Sequence, residues 1–217
     1  MKRGDSGRPT GSAAAKLLGL KQVTALISPD GELAYRNLAL NTEKAHNLKD
    51  RSLEVIRMAR ALAACSKRSR EDQYADQFES AALLTLGFCY EDNGRFAGGA
   101  YHPLLRKVDR FSGKNLPSSL REREGHASRL LQIDGQVKQI IEALRERGFK
   151  SPYLRNFVVA RINPVCFHRA KKGSDEPLMT LSAALTRMAA SARKFDAGSV
   201  RDSDLALVAA LSSESET

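Results

Sequence analysis

The sequence predicts a mainly α protein: a multi-helix C-terminal bundle preceded by a small α/β piece. Apolar residues recur at three- and four-residue spacing in segment after segment, which is the period of an amphipathic helix. Those segments are separated by cap residues and by Gly or Pro breaks, at Glu91-Asp92-Asn93-Gly94, Gly98-Gly99, Gly148 and Asn163-Pro164. Gln22 to Ile27 has the short β-branched character of a strand.

At 217 residues the chain can bury one good core, or one core and a helical appendage. It divides into a disordered basic arm (1–20), a strand-bearing segment with a basic helix (21–65), a helical domain (66–212) and a frayed acidic tail (213–217). The arm is rich in Gly, Ser and basic groups. It could trail along phosphates or be an untied terminus. Ser28-Pro29-Asp30-Gly31 forms a turn after the strand, and Glu32 to Leu40 reads as a helix with Leu33, Arg36, Asn37 and Leu40 on one face.

The basic helix follows. Val55, Met58, Ala59, Leu62 and Cys65 share a face, Asp50 or Ser52 would cap its start, and Glu54 suits its positive end. Lys49, Arg51, Arg57 and Arg60 lie elsewhere around it, and Lys67, Arg68 and Arg70 come next. Phosphate binding needs such cations, because each can neutralise one phosphate and release its counterions. Asn41 and Asn47 add neutral donors and acceptors, and Lys44 a further cation. The other reading of the same residues is a solvated face over an ordinary core.

Further on, Ser69 or Asp72 starts a helix to about Leu86, with Tyr74, Phe78, Ala81, Ala82 and Thr85 buried. His102-Pro103 opens another, carrying Leu104, Val108 and Phe111 inward. The link from Gly87 to Tyr101 is too long for a helix-turn-helix. Ser118 and Ser119 cap a long helix to about Arg147, lined by Ala127, Leu130, Leu131, Val137, Ile141 and Leu144, with Asp134-Gly135 a possible kink. Ser151-Pro152 begins a helix through Ile162, although its FVVARI core also suits a strand.

Arg145, Arg147, Lys150, Arg155, Arg161, Arg169, Lys171 and Lys172 form a second basic cluster around Tyr153 and Phe157. In the last long helix, from Pro177 to Phe195, Leu178, Leu181, Leu185, Met188, Ala192 and Phe195 make a heptad seam. That Leu178–Phe195 seam could pair two copies as a homodimer or dock within the chain.

The balance of 35 Lys and Arg against 25 Asp and Glu, +10, favours a polyanionic partner. Three widely spaced cysteines without a C-x-x-C fit a reducing cytoplasm, and no apolar run is long enough to span a membrane. The FAGGAYHP glycines match no phosphate loop. Four scattered histidines offer no metal spacing, and Cys166 with His168, or Glu122 with Glu124, make no credible catalytic pair. The two glutamates read as surface partners of Arg121 and Arg123. No catalytic, cofactor or metal residue is therefore assigned.

The stretch from Tyr35 to Ala61, with LNTEKAHNLKDRSLEVI at its centre, resembles the end of the N-terminal domain of ParB-like partition proteins. Asn41, Glu43 and Lys44 stand where that family carries Asn-x-Gln-Arg near bound phosphates. Asn47 to Leu53 take the place of the turn into its next helix. QFESAALLTLGFCYEDNGRFAGGAYHPLL and SPYLRNFVVARINPV resemble the family's helical C-terminal part. The nucleotide-gripping Gly-Glu-Arg-Arg and the sulfiredoxin Gly-Cys-His-Arg are absent, and the chain before Leu40 is short for a whole ParB N-terminal domain. The resemblance thus implies an α/β remnant and a DNA-associated partition or regulatory role in the cytoplasm, without nucleotide chemistry. DNA would contact Asn41, Lys44, Asn47, Lys49, Arg51, Arg57, Arg60, Lys67, Arg68 and Arg70. The competing expectation is a helical protein-interaction module whose charge is incidental.

Overall fold

A computed structural model describes residues 47–166, 178–201, 203 and 204. All described residues belong to one compact unit of the chain, Tyr35–Thr217. The expected strand at Gln22–Ile27, the arm and the tail lie outside the described residues, as do Asn41 and Lys44.

The described residues are mainly helical: α1 Leu48–Cys65, α2 Ala75–Phe78, α3 Ala81–Asp92, α4 Gly98–Val108, α5 Leu116–Glu146, α6 Leu154–Ile162 and α7 Leu181–Arg193. Short 3-10 turns occupy Glu71–Tyr74 and Ala197–Ser199. The only strand-like pairing among these residues is an isolated antiparallel bridge between Arg70 and Asn115. No described helix is long and apolar enough to cross a membrane.

The bundle is organised around α3. Every residue from Ala81 to Tyr90 is buried, because AALLTLGFCY has apolar residues on all sides and cannot present a face to water. Helices α1, α4 and α5 pack around it, and α6 and α7 pack on α4 and α5. The contact of α1 with α3 depends on Gly87. A Cβ there would sit 2.6 Å from the Ser52 carbonyl oxygen and 2.7 Å from Ile56 Cβ. Val55, Met58, Ala59 and Leu62 of α1 join this core as their spacing implies, together with Ile56 and Ser52, but Cys65 is exposed.

Several boundaries differ from the sequence reading. The helix expected from Ser69 or Asp72 to Leu86 is three pieces, broken at Glu79 (φ 58°). Helix α4 begins at Gly98 and carries Pro103 inside it, so Gly98-Gly99 is a helix start and not a break. In α5 the cap is Asn115, whose side chain accepts from the Ser118 N–H at 3.0 Å, with Pro117 in the first turn. The helix runs unbroken past Asp134-Gly135 and ends before Gly148 (φ 97°). FVVARI is helical, and its Phe157, Val158, Val159 and Ile162 are buried.

The heptad seam packs within its own chain. Thr180 caps α7, and Leu181, Ala184, Leu185, Met188 and Ala192 are buried, chiefly against α5. The seam proposed for a homodimer is therefore already covered, and only Leu178, at 44% exposure, projects from it.

Candidate nucleic-acid interface

The basic helix is set in place by its first turn. Asn47, not Asp50 or Ser52, is its cap: Oδ1 accepts from the Asp50 N–H at 2.9 Å, and Nδ2 donates to Asp50 Oδ2 at 2.8 Å. Ser52 is buried and donates to the Leu48 carbonyl. Both Asn47 polar groups are thus engaged within the turn.

The expected cations are not equivalent. Lys49 donates to the Gly94 carbonyl at 2.7 Å, tying the start of α1 to the turn after α3. Arg51 pairs with Glu79. Arg60 makes two bonds to Glu91, at 2.7 and 3.0 Å, and lies 5.1 Å over the Phe88 ring. Arg70 meets Asp72 at 3.1 Å. Arg57, Lys67 and Arg68 are exposed and pair with no carboxylate among the described residues.

Lys49, Arg57 and Arg60 line one wall of an open cleft of about 760 Å³. Glu91, Asp92 and Glu124 stand among its other lining residues, above Leu53, Phe88 and Leu131. Burial pushes the Glu91 carboxyl above its ordinary value, although Arg60 and Arg57 pull the other way. Three cations against three carboxylates leave this cleft without a net positive field, so it suits a phosphate backbone poorly. Arg51 and Arg70 face other carboxylates outside it, and Lys67 and Arg68 sit in the turn beyond Cys65.

Of the second basic cluster, Arg155 pairs with Asp134, and Arg161 meets Asp204 at 3.6 Å while lying 5.8 Å over Phe157. Arg147 donates to the Ala197 carbonyl and covers Phe149. Arg145 and Lys150 are exposed, and Arg169, Lys171 and Lys172 lie outside the described residues. Phe157 is core and Tyr153 is exposed at 44%.

Two buried polar networks escaped the sequence reading. Arg123, expected at the surface, is 4% exposed. Its guanidinium grips Glu71 at 2.5 and 2.7 Å, Asp109 at 3.0 and 3.1 Å, Thr85 at 3.0 Å and the Ala81 and Arg110 carbonyls. Burial opposes the charge, but Glu71 and Asp109 overcome it and hold the guanidinium more firmly protonated than usual. Glu122 pairs with Lys114 instead. Deeper along α5, Asp134 accepts from Tyr101 at 2.9 Å and from Arg155, with Lys138 at 3.2 Å.

Both networks were legible in one pattern. Leu116, Leu120, Arg123, Ala127, Leu130, Asp134, Val137, Ile141 and Leu144 alternate spacings of four and three, so two charges sit on the buried stripe of α5. With every donor of Arg123 occupied, this cluster holds helices together and offers nothing to a ligand. Among the described residues no His, Cys, Asp and Glu gather in a metal-binding group. Cys89 is buried, and burial first, then Asp92 and Asp134, push its thiol up to about 12, which leaves it inert. No protein-family model matches the sequence, and no curated protein or solved structure matches it either.

Proposed function

We propose that this is a non-catalytic, DNA-associated protein of partition or regulatory type, acting in the cytoplasm and binding duplex DNA through charge. The observation that carries the reading is the set of exposed cations on α1 and in its following turn, Arg57, Lys67 and Arg68, that form no ion pair with a described carboxylate, on a chain of net charge +10. The ParB-like resemblance of Tyr35–Ala61 supports the choice of DNA over other polyanions. Lys49, Arg51, Arg60 and Arg70 have a smaller part in it, since contact with phosphate would require each to give up a partner. The testing experiment is a salt series of duplex binding. The magnitude of the slope of log K against log salt should fall by about 0.9 for each phosphate that a variant no longer neutralises. Arg57→Ala with Lys67→Ala and Arg68→Ala should therefore lower it by roughly 2.7. No affinity at low salt would end the proposal.

A second reading has its own observation, the balance of charge in the α1 cleft. Walls of both signs suit a protein surface carrying both signs. On that reading sedimentation shows association that Arg57→Glu weakens, and duplex binding is absent.

A further inference from the structure

Charge is distributed unevenly along the chain. From Leu40 to Glu79 eight Lys and Arg face seven Asp and Glu. From Arg147 to Phe195, 49 residues, ten Lys and Arg stand against Asp175 and Glu176 alone, so this stretch holds most of the excess of +10. Helices α6 and α7 lie within it and contain no carboxylate.

The outward side of α7 is unusual in composition. Its inward row is fully taken by the core, which turns two adjacent rows to water: Ser182, Thr186 and Arg193 in one, Arg187, Ser191 and Lys194 in the other. Every exposed side chain on the helix is a hydroxyl, a guanidinium or an alanine. Arg187, Arg193 and Lys194 pair with no carboxylate among the described residues. A further guanidinium is laid onto the first row from α5: Arg129 donates to Ser182 Oγ at 3.0 Å and Thr186 Oγ1 at 2.6 Å. Thr186 Oγ1 donates to the Ser182 carbonyl at 2.8 Å, which leaves the hydroxyls of Ser182 and Ser191 as the neutral donors among these cations; such groups contact phosphate and sugar, and short side chains let a backbone come close. The helix is about 20 Å long, enough to face a few successive phosphates of one strand. By contrast the α1 cleft would set Glu91, Asp92 and Glu124 against the same strand.

We infer that the outward face of α7, with Arg129, is a phosphate-contacting surface for duplex nucleic acid, and a larger one than α1 presents among the described residues. The inference rests on the DNA-associated reading and moves its centre away from the helix that the sequence favoured. The test uses the full chain and a fluorescent duplex of mixed sequence over a salt series. Arg187→Ala with Arg193→Ala should lower the slope magnitude by about 1.8, the share of two phosphates, and leave the helical circular dichroism as in the wild type with a melting transition no lower. Arg95→Ala with Arg121→Ala removes the same charge elsewhere and should leave the slope within about 0.5 of wild type. An α7 double variant with the wild-type slope, while Lys67→Ala with Arg68→Ala lowers it, overturns this surface and leaves DNA binding standing. Equal losses in the α7 and control doublets reduce the effect to net charge and overturn it too. A wild type that binds no duplex at low salt removes both proposals. Binding only to phosphatidylserine vesicles, abolished in the α7 doublet, assigns the face to lipid instead.

Discussion

At the scale of single residues, the groups most constrained by their surroundings are those of the Arg123 network. Glu71, Asp109 and Arg123 are all nearly removed from water, and each depends on the others for solvation. Removing one member of such a set strands the rest, which typically costs about 3–5 kcal/mol. Arg123→Ala should therefore lose about that much stability in urea unfolding, and a loss below about 1 kcal/mol would show that water reaches the carboxylates. Two histidines add a pH dependence. Burial, the largest cause in each, holds His102 and His126 below the ordinary value near 6.5. For His126 the carboxylates of Asp109 and Glu122 oppose burial, and the cations Arg123 and Arg129 reinforce it. A lowered folded-state value means the unfolded chain takes up the proton first. The histidine contribution to stability should be constant above about pH 6.5 and fall as pH drops from there toward the folded values. Urea midpoints against pH check this: His102→Gln with His126→Gln should flatten that stretch, leaving only the acid loss due to carboxylates.

Helix packing separates glycines that matter from glycines that do not. At Gly87 a methyl group would strike the backbone oxygen of Ser52 and the side chain of Ile56, forcing α1 away from α3. Gly87→Ala should cost about 1–3 kcal/mol by overpacking, more than the helix preference it gains. Gly135 lies in mid-helix with open space around it, so Gly135→Ala should gain up to about 1 kcal/mol. Opposite shifts in melting temperature for the two variants would confirm the packing. The α7 seam obeys the same packing rule. Leu185→Ala should cost about 2–5 kcal/mol with a melting temperature independent of protein concentration, since Leu185 is enclosed by its own chain. The helical period, the apolar stripes and most stops could be read from the sequence, because each is a local property of spacing and of Gly or Pro. What could not be read is where a charge on a stripe finds its partner. Arg123 lies 52 residues from Glu71 and 14 from Asp109, and only the fold brings them together. The partners of the candidate interface's cations were hidden for the same reason. Cations at 51, 60 and 70 look free in the sequence, yet Glu79, Glu91 and Asp72 meet them in the folded chain.

For the whole molecule the decisive quantity is where charge remains once internal pairs are counted. A net charge of +10 works against compactness, and salt should relieve that repulsion while scarcely touching pairs as deep as Arg123 with Glu71. A polyanion should stabilise the fold by mass action, by about 2.7 kcal/mol at a concentration one hundred times its dissociation constant. The two effects of salt oppose each other, which makes them separable. Without duplex, the melting temperature should rise between low salt and about 0.15 M as the Debye length contracts to ~8 Å. With a short duplex in excess it should start higher and fall, because counterion release weakens the complex faster than screening steadies the free protein. The curves converge at high salt. If Arg187, Arg193 and Lys194 supply much of the attraction, replacing them with alanine should raise the duplex-free curve slightly and pull the duplex-bound curve down toward it. Parallel curves that never converge would mean that the gain from duplex has no electrostatic origin.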